Sequence, residues 1–591
     1  MLKEQSLLRS AFRVAVPITS LLLIACSTPF QPLGVEELRD SIRLTEEQEL
    51  GEAAQHPEKR QMLPNDNDVR DTLTPERLAE LEELSGRSSY QGVSLDLGDD
   101  LLGTKSGEVG LTLRQAILAA LKFNPDLQAA RLTPAIREAD LVSAEAAFDS
   151  TFFANYNLNW LDQPQVVPGT GAISFGTRAN VVNVRTLETG VRKNLVSGGQ
   201  MTVSTSLERS DNSSPGFSFS PDPAYTSSIL LSVTQPLLRG FGSEVTLAEV
   251  HARRNQQRQE IEQLRSTTIT LVTEVEKAYW TLMQARWNLL IRQRLLDRGI
   301  ATREQLRGRL GFDVTPAEWS DAVARVETRK SDVISAKSLV RQASDALKLL
   351  MNHPDLPLGS ETIVAPLDDF TQEPIEYSLL DAVTTSIEHR PEMKQALLNM
   401  DNAAIQVLVS NNARLPLLNL AASMQFNGLD DQWEESYDHV TSSRFIDYLV
   451  RLQFEYPLGN RSAEAQYRSA RLQQNQAVLS YRNVLRQVVL DVKTALRDLN
   501  TNYQLLGQRD AARLAAAENL RTLKVQEEVQ ALTPEFLNLE FNRQELLASS
   551  ELQQIDALVK YNISLANLHA AMGIALERNQ IKFVVPDPDV R

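Results

Sequence analysis

Few residues in this chain are placed to do chemistry. Lys3, Arg9 and Arg13 precede an apolar run from Val14 to Ala25 that ends Leu23-Ile24-Ala25-Cys26. A basic start, a short apolar core and a small residue at its end are the layout of a secretory signal. A small residue, Ala25, stands directly before a lone cysteine, so cleavage between them would make Cys26 the new N-terminus. An ordinary signal peptide with a chance cysteine is the alternative. Cys26 is the only cysteine, so no intramolecular disulfide is possible. His56, His251, His353, His389, His439 and His569 are scattered without ligand spacing and read as surface or packing residues. No G-x-S-x-G, phosphate loop or H-E-x-x-H occurs. Gly198-Gly199 after Ser197 reads as a hairpin turn, and Glu527-Glu528 as a solvated helix face. The sequence therefore predicts no enzyme, no metal and no cofactor.

What remains is a pattern of elements. Pro125 and Phe152 match Pro391 and Leu418 at one offset, and Pro236, Leu282 and Pro316 match Pro457, Leu499 and Pro534 at a second, slightly drifting one. Two copies of helix, strands, long helix and returning helix explain both sets, the first copy carrying an insertion of roughly forty-five residues among its strands. Phe152, Ala154, Tyr156, Leu158 and Trp160 alternate with Phe153, Asn155, Asn157 and Asn159. Leu418, Leu420, Ala422, Met424 and Phe426 alternate in the same way, as do Tyr448, Val450, Leu452, Phe454 and Tyr456. One greasy and one polar face over ~9–11 residues is what transmembrane β-barrel strands show. A sandwich gives the same alternation.

Each strand block opens into a long helical run. Ile261, Leu264, Leu271, Val275, Ala278, Leu282, Ala285 and Leu289 form one coiled-coil seam, and Val478, Tyr481, Leu485, Val488, Val492, Ala495 and Leu499 another. Runs of this length predict rods of ~100 Å. Thr315-Pro316 and Thr533-Pro534 mark the start of each returning helix, a capping hydroxyl before proline at the first helical position. Asn124-Pro125 predicts a kink.

The charge of −16 disfavours a nucleic-acid binder, which would show a basic patch. From 31 to 110 about nineteen acidic residues face eight basic ones, which reads as a flexible, solvated tether. A regulatory or cell-wall-binding segment is the sharper alternative. The predicted domains are a signal peptide 1–25, an acidic tether 26–110, a first repeat 111–352, a linker 353–375, a second repeat 376–574 and a tail 575–591. The first repeat has strands in 150–236, a long helix 243–310 and a return helix 316–352. The second has strands in 417–457, a long helix 461–528 and a return helix 534–572.

Ser232-Val-Thr-Gln-Pro-Leu-Leu-Arg-Gly-Phe-Gly242, Lys277-Ala-Tyr-Trp-Thr-Leu282, Asn124-Pro-Asp-Leu127 with its echo Arg390-Pro-Glu-Met393, and the turn at Gly311 resemble the TolC-type outer-membrane efflux proteins. The resemblance covers roughly 111 to 574, and Leu23–Cys26 resembles a bacterial lipobox. Ser27, rather than Asp, is what the lipoprotein resemblance associates with delivery to the outer membrane. The family implies a mixed α/β membrane protein, a homotrimer whose shared outer-membrane β-barrel is continued by an α-helical coiled-coil tunnel in the periplasm. It implies a passive duct that accepts cargo from an inner-membrane transporter through a periplasmic adaptor. Small-molecule efflux, type I protein secretion and a structural coiled-coil envelope protein all stay open. The turns farthest from the barrel would touch the adaptor: Gly311, Asp313, Val314, Thr315 and Pro316 on the first, Ala531, Leu532, Thr533 and Pro534 on the second. The alternative is that they only cap helices. The family often has glycine where Ala531 stands. The family norm is a twelve-stranded trimeric barrel. The inserted residues give either six strands per chain and eighteen in all, or an extracellular hairpin capping twelve.

Lipidation would add membrane attachment at ~0.8 kcal/mol per buried CH₂. Cys26→Ser is expected to abolish lipid labelling while membrane association persists through the barrel. Fractionation of labelled cells checks both, and complete release of the variant from membranes would refute the barrel.

Overall fold

The computed structural model describes residues 35–55, 58–62, 68–90, 95, 97–99, 101, 103–105, 107–166, 177–213, 220–529 and 533–584. Cys26, Ala531 and Leu532 lie outside them. The chain is mixed α/β and mostly helical. Its main helices run, in chain order, α1 (Pro75–Ser85), α2 (Leu113–Phe123), α3 (Pro125–Glu145), α4 (Ala248–Gly308), α5 (Pro316–Met351), α6 (Pro391–Ala413), α7 (Trp433–Thr441), α8 (Arg461–Val529) and α9 (Pro534–Ala571). The residues divide into two units: Met1–Thr45, Glu145–His251 and Asn399–Arg482 in one, Glu46–Ala144, Ala252–Leu398 and Asn483–Arg591 in the other.

The first unit is built on one antiparallel sheet of six strands: β1 (Ser150–Val166), β2 (Thr177–Asn194), β3 (Gln200–Asn212), β4 (Ala224–Pro236), β5 (Leu417–Asp430) and β6 (Phe445–Glu455). Their order is β6-β5-β4-β3-β2-β1. Register follows the alternation, because a one-residue slip would turn every side chain to the other face. Phe152, Val191, Val203, Leu231, Met424 and Tyr448 form one row across all six strands. The next row on that face is Ala154, Thr189, Thr205, Ile229, Phe426 and Ile446.

Toward the far end of this apolar face lies α7, which the sequence pattern did not announce. Ser436 Oγ stands 3.0 Å from Ser227 Oγ and 3.1 Å from the Gly428 carbonyl. A Cβ on Gly428 would fall 1.9 Å from the Ser436 carbonyl oxygen, so glycine is what lets helix and strand touch.

The second unit is a helical body. Leu264, Thr268, Leu271, Val275, Leu282, Ala285 and Leu289 of the α4 seam are buried. So are the α8 seam residues Leu485, Val488, Val492, Ala495 and Leu499, while Val478 and Tyr481 are buried within the first unit. The expected kink at Asn124-Pro125 is instead a break between α2 and α3. Asn124 caps the new helix, its Oδ1 accepting the Leu127 N–H at 3.0 Å, and this is why the chain stops and restarts there.

The acidic segment departs most from expectation: within the described residues, 75–90 is not a solvated tether. Thr74 accepts the Arg77 N–H at 3.4 Å and Pro75 takes the first turn, so α1 starts where its sequence says it should. Leu81 is fully buried against Leu514, Ala517, Leu520 and Leu547. Its acids meet arginines. Arg513, itself buried, donates to Glu82 at 2.6 Å, Ser85 at 2.9 Å and Asp510 at 2.9 Å, while Arg521 pairs with Glu80 at 2.7 Å. Arg294 stacks 3.5 Å over the Tyr90 ring, and the Tyr90 hydroxyl donates to Glu551 at 2.9 Å.

Burial pushes the Glu551 carboxyl up to about 7, against the pull of Arg298, Arg294 and Arg513 and the Tyr90 hydrogen bond. A carboxyl raised from its ordinary value of 4.5 stabilises the fold fully below that pH, and the contribution is lost as pH rises through 7. Docking of 75–90 is therefore expected to be tighter at pH 5 than at pH 8, with Glu551→Gln flattening the difference. Arg513→Ala should cost roughly 3 kcal/mol, because it removes a buried cation that ties Ser85, Glu82 and Asp510 together. Hydrogen exchange of residues 75–90 across pH checks all three, and identical protection at both pH values would contradict the first.

Candidate functional site

Two places could meet something outside the chain: the turn between α4 and α5, and the faces of the sheet. The turn is set by its sequence. Gly311 has φ +91°, a left-handed conformation that glycine adopts freely. Leu310 and Val314 form a bridge across it, and Arg309 pairs with Asp313, holding that carboxyl below its ordinary range through a direct hydrogen bond. Thr315 and Glu318 form a capping box: the Thr315 hydroxyl accepts the Glu318 N–H at 3.3 Å, and the Glu318 carboxylate accepts the Thr315 N–H at 2.7 Å. Pro316 occupies the first turn of α5.

Burial sorts the expected contact residues. Gly311 and Asp313 are exposed, but Val314 is only 5% exposed and packs with Leu306, Ala322, Val326, Leu537 and Phe541. It anchors the turn rather than facing outward. The residue presented to solvent is Phe312, 95% exposed, with Leu310 beside it. Sequence reasoning passed over Phe312, since an apolar residue in a turn carries no sign of whether it packs or projects. On the second turn, Thr533 accepts the Phe536 N–H at 3.3 Å and Pro534 is buried.

The sheet separates its chemistry by face. On one, Phe152, Tyr448, Val450, Leu452 and Phe454 are each more than 60% exposed, an apolar surface far beyond scattered single residues. On the other, three successive rows read Thr151, Arg192, Thr202, Ser232, Ser423, Leu449, then Phe153, Gly190, Ser204, Leu230, Gln425, Asp447, then Asn155, Glu188, Ser206, Ser228, Asn427, Phe445. β1 and β6 are the outer strands of the order, each paired within the chain on one side.

The Lys277–Leu282 stretch has a structural use. Buried Tyr279 donates to the Asp368 carboxylate at 2.6 Å and accepts the Leu367 N–H at 3.1 Å, while Trp280 stacks on Phe370 at 5.5 Å. Burial raises the Tyr279 hydroxyl above its ordinary range. Among the described residues one acid cluster, Asp430, Asp431 and Glu435, brings ligand atoms within 4.8 Å, with Glu435 and Asp431 exposed. His439 lies 3.9 Å from Asp430, and the described histidines do not converge on one point.

No family model and no curated protein matches the chain. Solved structures do. A membrane protein from Pseudomonas aeruginosa aligns with a TM-score of 0.57 at 19% identity, over 78% of this chain and 93% of that one. CusC, solved in a study of its folding and transmembrane channel formation, aligns at 0.56 and 15% identity, over 81% and 96%. The outer-membrane channel MtrE of Neisseria gonorrhoeae, in its open state, aligns at 0.55 and 19%, over 78% and 89%. The chain shares their fold.

Phe312→Asp should leave thermal stability within about 0.5 kcal/mol of the parent, since the ring is 95% exposed. Val314→Ala should cost about 2 kcal/mol by opening a hole in the cluster it anchors. Denaturant melts of the two variants check this assignment of roles, and a destabilising Phe312→Asp would reverse it.

Proposed function

We propose that this chain is a TolC-type outer-membrane channel, a passive homotrimeric duct lipid-anchored through Cys26. In this reading it carries small molecules delivered by an inner-membrane transporter and a periplasmic adaptor. The observation that carries the reading is the six-stranded sheet, with one mainly apolar face and two outer strands that have no second partner among the described residues. In hydrocarbon an unpaired backbone N–H or C=O costs several kcal/mol, so a spanning sheet has to close on itself. One chain's outer strands, β1 and β6, close only against those of further copies. The shared fold supports the same conclusion. A coiled-coil envelope rod would need no such sheet.

The apolar tip at Phe312 and Leu310 is the surface we assign to the adaptor, with Gly311 and Asp313 at its rim and Thr315 and Pro316 fixing its geometry. Ala531, Leu532, Thr533 and Pro534 are proposed as the second contact. Transport needs no covalent step. Selection comes from the width and lining of the passage.

In mild detergent the protein is expected to run as a trimer and, reconstituted into planar bilayers, to conduct. Phe312→Asp should reduce export in cells without changing trimer yield or conductance. A protein that stays soluble and monomeric without detergent would overturn the channel reading. Unchanged export by Phe312→Asp would remove the tip assignment alone.

A further inference from the structure

The hairpin of β2 and β3 is built into the sheet at its base, along its length and on both faces. Its turn lies at the end where β4 leaves for the helices. There the Leu195 N–H donates to the Gly199 carbonyl at 2.7 Å, the Gly242 N–H donates to the Ser197 carbonyl at 3.2 Å, and Ser197 Oγ bonds Gln235 Oε1 at 2.7 Å. Gly198 has φ +90°, and a Cβ there would sit 2.0 Å from the Gly240 carbonyl oxygen. The turn is thus fastened to the strand–helix junction. Along its length β2 pairs with β1 and β3 pairs with β4, so the hairpin is β1's route into the sheet.

Both face patterns continue across it, with Thr189, Thr205 and Lys193 as the polar interruptions on the apolar side. Val191, Val203, Leu187 and Leu207 continue the apolar rows begun by Phe152 and Tyr156. Thr202, Ser204, Ser206 and Glu188 continue the opposite face, where the Thr186 hydroxyl bonds Glu208 at 3.3 Å. A cap projecting into water would need no such continuity. Nor would it place Val191 and Val203, each over 40% exposed, in line with an apolar band.

Resting on the channel reading above, we propose that the β2–β3 hairpin is a wall element that widens the pore. Three copies of the six-stranded sheet close an eighteen-stranded barrel lined mainly by hydroxyl and amide side chains, a passage for bulky, hydrated, hydrophilic solutes. Barrel diameter grows nearly linearly with strand number, and barrels of about this size leave an aqueous channel rather than a packed interior. Asn155, Ser206, Ser228, Asn427, Thr202, Ser232 and Ser423 replace the hydrogen bonds of a solute's water shell, while an apolar solute gains nothing from such a wall. Charges of both signs, Arg192 and Glu188 among them, share that face and give it no single-sign field.

The natural chain has a single cysteine, at position 26, so single substitutions in the full-length protein report position. Ser206→Cys and Val203→Cys, three residues apart on one strand, point to opposite faces. With the unsubstituted protein as blank, a charged, water-soluble maleimide should label Ser206→Cys and lower its single-channel current. Val203→Cys should resist that reagent and react with a lipid-soluble one. Neutral polyethylene glycols of graded size should enter the pore up to a diameter about 1.5 times that of a barrel with four strands per chain. Equal labelling of both positions by the water-soluble reagent, in a protein that conducts as a trimer, would overturn the wall assignment and leave the channel reading standing. A Ser206→Cys pore labelled with no change in current would do the same. No conductance from the unsubstituted protein would remove the channel reading and this inference with it.

Discussion

Backbone hydrogen bonding at the rim of a sheet is the constraint on which the first unit turns. Within the sheet the strands satisfy one another, but β1 and β6 each face outward with a row of N–H and C=O groups. In water such edges are a liability that proteins blunt with charge, proline or bulges. Here the edge strand β6 carries Tyr448, Val450, Leu452 and Phe454, all prominently exposed. A greasy edge of that kind fits the channel reading proposed above, in which lipid covers the face and another strand covers the edge.

In the second unit the governing interaction is charge placed against charge under cover. The acidic residues ahead of 110 give the chain most of its net charge, and free in solution they would repel one another. Along the helices Glu82 meets Arg513 and Glu80 meets Arg521, while Arg294, Arg298 and Arg341 take backbone carbonyls and the Tyr90 ring of the same segment. Arginine suits this work because its planar fork serves several acceptors at once and stacks on rings. The leucines of α1 fill the apolar groove between those contacts, so the strap is held by shape as well as by charge.

The residues most readable in the sequence were those whose meaning is local. Alternation over a strand, a Thr-Pro helix start, a glycine at a turn and a leucine seam each follow from backbone geometry, and β1, β5, β6 and the starts of α5 and α9 lie where those signals stand. What was not readable depends on a distant partner. Leu78, Leu81 and Leu84 recur at helical spacing, but their groove comes from residues more than four hundred positions later. The docking of α7 on the sheet hinges on Gly428 lacking a side chain beneath the Ser436 carbonyl, a fit no periodicity encodes. The outward-facing Phe312 and the buried Val314 are two apolar residues in one turn, and only the packing around Leu537 and Phe541 tells them apart.

Polar ties among the helices show the same division between pattern and fit. A leucine seam brings helices together but tolerates sliding by a turn, since one apolar knob resembles the next. Arg329 is only 5% exposed and does not slide: its guanidinium donates to the Leu295 carbonyl at 3.0 Å, to Gln544 at 3.0 Å and to the Phe541 carbonyl at 3.3 Å. It fits because Gly299 is bare, a Cβ there falling 2.5 Å from the guanidinium nitrogen. Gln544 passes the contact on to Thr302 at 3.0 Å and Glu540 at 3.0 Å. Burial depresses the Arg329 guanidinium and raises the Glu540 carboxyl, so each charge is tolerated only in the arrangement that satisfies it. Displacing α5 by one turn would leave those groups buried without partners, a cost that apolar packing alone does not impose. The seams decide which helices meet, and Arg329 decides where along their length they stop.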